Sequence, residues 1–248
     1  MELSKEILDD LLLENEGCII PATSKGSEFY NRVVKVSQQL IKGNSDLAHV
    51  RDLDWTVTVV YDDKNINAFV LGCGSIFVYS GMLLLCDNDD QLGIILGHEM
   101  AHAILSHSAE EMSLLNFWEF LYIIPLTALW AVLPSDLTAF IAHWIVSKLK
   151  EILMELPHSR FMEEEADKVG LILAAKACFD IREASVVWAK MKLMDGDDSD
   201  NIAWLSTHPT HGKRQQQLDE LVQDGIDLRE SCQVNSDYDM IDISYESL

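Results

Sequence analysis

The sequence predicts an α+β fold that is mostly α-helical and contains one small antiparallel sheet. Two patterns lead to this prediction. Apolar residues recur at helical spacing in several long segments, and three short segments between residues 55 and 79 are rich in β-branched and aromatic residues. The chain has 248 residues, of which 48% are hydrophobic and 24% are charged, so we expect one domain with short appendages.

The first elements of the domain are expected to be one helix and the sheet. The helix covers residues 29–41, where apolar residues share one face, and Gly43 follows as a stop. Three strands come next, at residues 55–61, 68–71 and 76–79. Gly72 and Gly74 predict a hairpin between the second and third strands.

A second helix is predicted from about residue 89 to about residue 107. Asn88 and Gln91 resemble a capping box at its start, and an apolar stripe begins at Leu92. Two later segments, 160–175 and 181–194, also have helical patterns, and an acidic loop follows them at 195–200.

The charge and the cysteines limit the classes of function. With 18 basic and 41 acidic residues, a formal charge of -23 makes nucleic acids and anionic lipid surfaces poor non-specific partners. The five cysteines are odd in number and widely spaced, which favours free thiols over a disulfide framework. Residues 1–26 form an acidic segment without a recognisable targeting peptide, and an acidic tail at 233–248 is expected to be disordered.

The pattern H-E-x-x-H occurs at residues 98–102. On a helix, His98 and His102 lie on one face and can reach one metal ion, while Glu99 projects beside them as a general base. The alternative is a pair of structural histidines on an ordinary core helix. The small residues Gly97 and Ala101 favour the metal site, because they permit close packing around it.

A catalytic zinc needs a third protein ligand, which must come from another segment. Ser108 stands where one class of zinc peptidase has its third histidine, and His107 points to a different side of the helix. Glu163 and Asp167 lie four residues apart on one helical face, so Glu163 could bind zinc while Asp167 accepts a hydrogen bond from a ligating histidine. The alternative is a solvated acidic start of a helix.

Together, residues 98–102, the E-x-x-x-D pattern at 163–167 and S-T-H-P at 206–209 followed by Arg214 resemble the HtpX-like and CAAX-prenyl-protease superfamily of gluzincins. The similarity is closer to its OMA-type branch in the mitochondrial inner membrane, through NAFV, IFVYSG, NDDQL, EADKVGL and LSTHP. It covers about residues 27–232, which we take as the peptidase domain. The chain departs from the family at the hairpin, where Gly72-Cys73 replaces the usual proline and small or polar residue.

The resemblance implies roles for three further residues. Glu163 would be the third zinc ligand, and His208 would lie near the substrate, where it could donate to the oxyanion. Asn67 and its strand would hold the substrate in extended form at the edge of the sheet. The alternatives are a turn asparagine for Asn67 and a helix-capping loop histidine for His208.

An apolar insert covers residues 117–146, in two arms separated by residues 134–136. Each arm is short for a spanning helix, which needs about 20 residues, and Pro125 interrupts the first arm. A helical hairpin that dips into a bilayer or lies along it is therefore expected, and the alternative is a buried hairpin packed on the domain.

The sequence thus predicts a gluzincin-type endopeptidase with one zinc ion per chain, protein substrates at a membrane, a lipid contact through residues 117–146, and no nucleic-acid partner. A homo-oligomer is compatible with it. Resemblance implies the mitochondrial inner membrane, quality control and stress response, and cleavage of a dynamin-like GTPase. One alternative is an HtpX-like or CAAX-type protease of another membrane, although those relatives tend to carry several spanning helices. Another is a zinc-bound module without activity, which the presence of Glu99 disfavours.

Overall fold

The computed structural model describes residues 2–21, 27–113, 140–142, 144–145, 147–148, 157–194, 202–208, 218, 220–222, 226 and 229. Its elements are, in chain order, α1 (Glu2–Glu14), α2 (Ser27–Gly43), α3 (Ala48–Arg51), β1 (Thr56–Val60), β2 (Ala68–Val70), β3 (Ser75–Tyr79), α4 (Ser80–Leu85), α5 (Asp89–Leu105), α6 (Pro157–Lys176), α7 (Glu183–Met194) and α8 (Ala203–Thr207). The predicted α+β fold, mostly helical with a small sheet, is confirmed.

The sheet has the strand order β1-β3-β2. The predicted hairpin is present: β2 and β3 are antiparallel, and Gly74 (φ 95°) closes the turn by donating its N–H to the carbonyl of Leu71 at 2.9 Å. The prediction of an antiparallel sheet is wrong for the other pair, because β1 and β3 are parallel. The reason is that β3 lies between β1 and β2, an order that strand patterns alone do not fix.

The two faces of the sheet are covered by different helices. On one face, α2 and α5 pack against the strands, and their apolar side chains form the main core. On the other face, Leu8 and Leu11 of α1 pack against Phe77 and Tyr79. Beyond α1, the chain runs beside β1, where the N–H of Ile20 donates to the carbonyl of Val59 at 2.8 Å.

Helix α5 begins where the capping pattern predicts. Asn88 Oδ1 accepts a hydrogen bond from the N–H of Gln91 at 2.8 Å, and Gln91 Oε1 accepts one from the N–H of Asp87 at 2.9 Å. The helix ends at Leu105, two residues before the approximate end predicted at residue 107. Ser106 has a φ of 61°, a left-handed conformation that stops the helix, and residues 107–113 form a separate helical segment.

The chain divides into two units, residues 1–105 with 165–248 and residues 106–164, and the division falls within the continuous helix α6. In the second unit, the described side chains of Phe140, Trp144 and Phe161 are exposed. Among the helices that the structure describes, none is long and apolar enough to span a membrane. The insert predicted at 117–146 lies outside the described residues, apart from 140–142 and 144–145.

The cysteines differ in part from the expectation of free thiols. Cys18, Cys73 and Cys86 are free, and burial raises the pKa of the Cys86 thiol to about 12. Cys178 is disulfide-bonded, so the expectation is wrong at this position. Spacing along the chain carries no information about a pair of cysteines that only the fold brings together.

Candidate metal centre

Helix α5 brings the three residues of the H-E-x-x-H pattern together. Residues 91–101 are all buried, because α5 packs against α2, α7 and the sheet. His98 and Glu99 are each 3% exposed. The four-residue spacing turns the histidines towards each other, and the two Nε2 atoms lie 3.1 Å apart.

Helix α6 supplies the two acidic residues expected at the site. Glu163 and Asp167 are both buried, which sets them apart from the exposed Glu164 next to them. Asp167 Oδ1 lies 3.0 Å from Nδ1 of His98, so that ring nitrogen can donate to the carboxylate while Nε2 faces His102. The predicted E-x-x-x-D face therefore points inwards and is not a solvated helix start.

Two glycines allow α5 and α6 to approach closely. A Cβ at Gly97 would lie 2.9 Å from the carbonyl oxygen of Gly170, and a Cβ at Gly170 would lie 2.7 Å from Cα of His98. These distances leave no room for a side chain. Gly97 was expected to serve close packing, whereas its partner Gly170 had no signal in the sequence.

His208 stands at the end of α8 and is buried. Its Nδ1 lies 3.3 Å from Nε2 of His98, and its Nε2 lies 3.4 Å from Oε1 of Glu99. The family resemblance implies that this residue lies near the substrate. The structure places it beside an expected ligand, His98, and beside the expected base, Glu99.

The donor set fits a zinc ion. Four ligand atoms, one each from His98, His102, Glu163 and His208, lie within 4.8 Å of one another. Imidazole nitrogen and carboxylate oxygen are the ligands that zinc takes in peptidases, and the carboxylate of Asp167 lies beside Nδ1 of one of the imidazoles, as a second hydrogen-bond partner of a ligating histidine would. His107 is buried on the segment after Ser106 and is not part of this group.

Asn67 lies immediately before β2 and is half-buried. Its carbonyl oxygen accepts a hydrogen bond from the N–H of Tyr79 at 3.0 Å, which extends the β2–β3 pairing by one residue. Strand β2 is an edge strand of the described sheet and packs against α5. The free edge of the described sheet at β2 therefore lies on a strand that packs against the helix carrying His98.

Trp204 is a residue of the site that sequence reasoning missed. Its indole N–H donates to Oε1 of Glu99 at 2.6 Å, and its side chain is fully buried. The available signal was weak, since Trp204 stands four residues before His208 and so shares a helical face with it.

This fold and this site define a metallopeptidase in which a helix carries two histidines and a glutamate, and a second helix adds a carboxylate. The chain belongs to peptidase family M48, whose sequence profile matches residues 31–222.

Curated relatives of this chain carry a more specific name. The chain is 44% identical over 205 residues to metalloendopeptidase OMA1, mitochondrial, of Bos taurus, an alignment that covers 82% of this chain and 39% of the relative. It is 42% identical over 233 residues to the Danio rerio protein of the same name, covering 93% of this chain and 48% of that protein. The chain therefore spans less than half the length of these two relatives.

Proposed function

We propose that this chain is a zinc-dependent endopeptidase of the mitochondrion, with its peptidase domain at residues 27–232. The observation that carries the proposal is the convergence of His98, His102 and Glu163 beside Glu99. Glu99 supports an enzyme over a zinc-stabilised module, because a glutamate beside the ligands is not needed to bind the metal.

Each residue of the site has one role in this proposal. His98, His102 and Glu163 hold one zinc ion, which when bound supplies an activated water and polarises the peptide carbonyl. Glu99 accepts the proton of the attacking water and delivers it to the leaving amine. Asp167 keeps the ring of His98 in one tautomer and orientation.

His208 is proposed to donate from its imidazole to the oxyanion that forms on the substrate carbonyl. Its position against both His98 and Glu99 supports a role at the reacting group. Loss of such a donor typically lowers kcat by about a hundredfold or more. A His208→Phe variant that lost its zinc instead would identify His208 as a fourth ligand, and one with unchanged kcat would reduce it to a loop residue.

The substrate is proposed to bind in extended form along β2, with Asn67 at the start of the contact. An edge strand offers backbone N–H and carbonyl groups to a peptide, and pairing of this kind is independent of the peptide's sequence. The position of β2 beside α5 supports this assignment, because a peptide paired with β2 would lie along the strand that packs on the helix carrying Glu99.

The mitochondrial setting of the proposal rests on the names of the relatives and on the sequence resemblance. By that resemblance, the substrates are proteins at the inner membrane, including a dynamin-like GTPase, and cleavage serves quality control and the stress response. Residues 117–146 would hold the enzyme against the bilayer.

The test compares Glu99→Gln with the unchanged protein. The variant keeps the ligands and loses the base, so we expect bound zinc near one equivalent per chain and no cleavage of an unfolded protein substrate. Metal analysis and a peptide-cleavage assay, each with and without a chelator, measure the two properties separately. Equal cleavage by the variant would overturn the assignment of Glu99, and no cleavage by the zinc-loaded unchanged protein would favour a non-catalytic module.

A further inference from the structure

We propose that Trp204 is a positioning residue for Glu99, which fixes the carboxylate so that only one of its two oxygens is presented as the base. The inference rests on the proposed endopeptidase function and adds to it a residue that acts through Glu99 without contacting the substrate.

The first argument is the hydrogen bond between the two side chains. The indole N–H of Trp204 donates to Oε1 of Glu99, and the two atoms lie 2.6 Å apart. Both side chains are buried, at 0% and 3% exposure. Removing the N–H would leave a buried carboxylate oxygen without this donor.

The second argument concerns the freedom of the carboxylate. The terminal torsion of a glutamate is broad, so packing alone does not decide which oxygen faces the substrate. Trp204 and His208 both contact Oε1, at 2.6 and 3.4 Å. Oε2 is therefore the oxygen that can accept a proton from the attacking water.

The third argument is that Trp204 is itself held rigidly. Its ring stacks on His208, with centroids 4.5 Å apart and an interplanar angle of 28°, and lies against Trp188 at 4.8 Å. Its backbone N–H donates to the carbonyl of Ile66 at 3.2 Å. Because Ile66 precedes Asn67, the residue that orients the base is joined to the strand proposed to bind the substrate.

One experiment observes the hydrogen bond without measuring activity. In protein labelled with 15N-tryptophan, a bond to a carboxylate should move the indole N–H proton resonance of Trp204 downfield. Glu99→Ala should return it upfield, while the resonance of Trp55, which donates to the carbonyl of Val50 at 2.7 Å, stays in place. Trp204→Phe and Trp55→Phe assign the two resonances. A Trp204 resonance that does not respond to Glu99→Ala would overturn the proposal.

A kinetic experiment separates positioning from packing. Trp204 is replaced by phenylalanine, and also by 3-benzothienylalanine, which keeps the two-ring shape and lacks the N–H. We expect both variants to bind one equivalent of zinc and keep KM, with kcat lowered about 10- to 100-fold, as is typical when a partner that orients a site residue is lost. Replacement of Trp204 by 7-azatryptophan, which retains the N–H, should give a kcat close to that of the unchanged protein.

Trp55→Phe is the matched control, because it makes the same change at a buried tryptophan with an N–H donor outside the site. It should lower stability and leave kcat unchanged. If the unchanged protein cleaves and Glu99→Gln does not, but the benzothienylalanine protein has full kcat, the role of Trp204 is refuted while the proposed function stands. If the zinc-loaded unchanged protein does not cleave, the proposed function fails instead.

Discussion

At the scale of single residues, the geometry of the candidate metal centre depends on which atom of each side chain faces the other three residues of the cluster. Oδ1 of Asp167 lies 3.0 Å from Nδ1 of His98, and Nε2 of the same ring faces Nε2 of His102 at 3.1 Å. Glu163 differs from its acidic neighbours by burial, because Glu163 is 4% exposed whereas Glu164 faces solvent. Since a charged group is seldom fully buried unless it is paired, the burial of Glu163 supports its proposed role as a ligand, whereas Glu164 has the exposure of a surface acid.

Glu163→Gln should weaken zinc binding by more than the roughly 10- to 100-fold that is typical when an outer hydrogen-bond partner of a ligand is lost. The variant removes a negative oxygen ligand and keeps the size of the side chain. Competition with a chromogenic chelator measures the affinity. Glu164→Gln removes the same charge one residue away and should leave zinc binding unchanged, so equal sensitivity of both positions would refute the assignment of Glu163.

Residues that act through a local pattern were the ones that sequence reasoning could find. His98 and His102 share a helical face by their spacing alone, and the same holds for Glu163 and Asp167. For Trp204 the only local signal is its spacing of four residues from His208, and its bond to Glu99 joins residues 105 positions apart. Gly170 was missed for the same reason, since only the packing of α6 on α5 gives it a contact.

At the scale of elements, α5 is fixed at its first turn by basic residues from its neighbours. Arg32 of α2 donates to Asp89 at 3.0 Å and to the carbonyls of Cys86 and Asn88 at 2.9 and 2.6 Å. Lys190 of α7 pairs with Asp87. Negative charge also complements the positive end of the helix dipole there. These contacts therefore fix the N-terminal end of α5, which precedes His98 and His102 in the same helix.

Gly170→Ala should lower both stability and zinc affinity, because its methyl group meets backbone atoms of α5 and the two helices must separate. Such overpacking typically costs about 1–3 kcal/mol in the free energy of unfolding. Denaturant unfolding measures the first effect, and chelator competition measures the second.

Gly43→Ala is the matched control. Its methyl group would lie 2.6 Å from Cα of Ala177, just beyond the far end of α6, so it should destabilise the fold by a similar amount and leave zinc affinity nearly unchanged. If both variants lost zinc equally, general destabilisation would explain the effect, and the close approach at Gly170 would have no special part in the metal site.

The elements themselves were predictable where local chemistry defines them. The capping residues fix the start of α5, and the glycines fix the β2–β3 turn. The end of α5 at Leu105 was not predictable, because it depends on one backbone angle at Ser106. The parallel pairing of β1 with β3 was not predictable either, because it depends on the order of the strands in space.

At the scale of the whole molecule, the charge of -23 bears on how the protein meets a membrane. Anionic lipid repels such a chain over roughly one Debye length, about 8 Å at physiological salt. Binding must then come from insertion of apolar surface, at about 25 cal/mol per Å² removed from water. Residues 117–146 form the longest stretch that is nearly free of charge, and Phe140 and Trp144 within it are 70% and 57% exposed.

We therefore predict that the intact chain floats with neutral phosphatidylcholine vesicles and resists carbonate extraction. Leu121, Ile124, Leu129 and Trp144 changed together to Ser should abolish flotation, because the change removes apolar side chains from both arms. Adding phosphatidylserine should not strengthen binding, since the chain has no net attraction to anionic lipid.

A matched control changes four exposed apolar residues elsewhere to Ser, namely Leu13, Leu84, Leu193 and Met194. It removes four large apolar side chains outside the insert and should float like the intact chain. An intact chain that stays in solution with vesicles present would show that residues 117–146 do not attach this chain to a membrane.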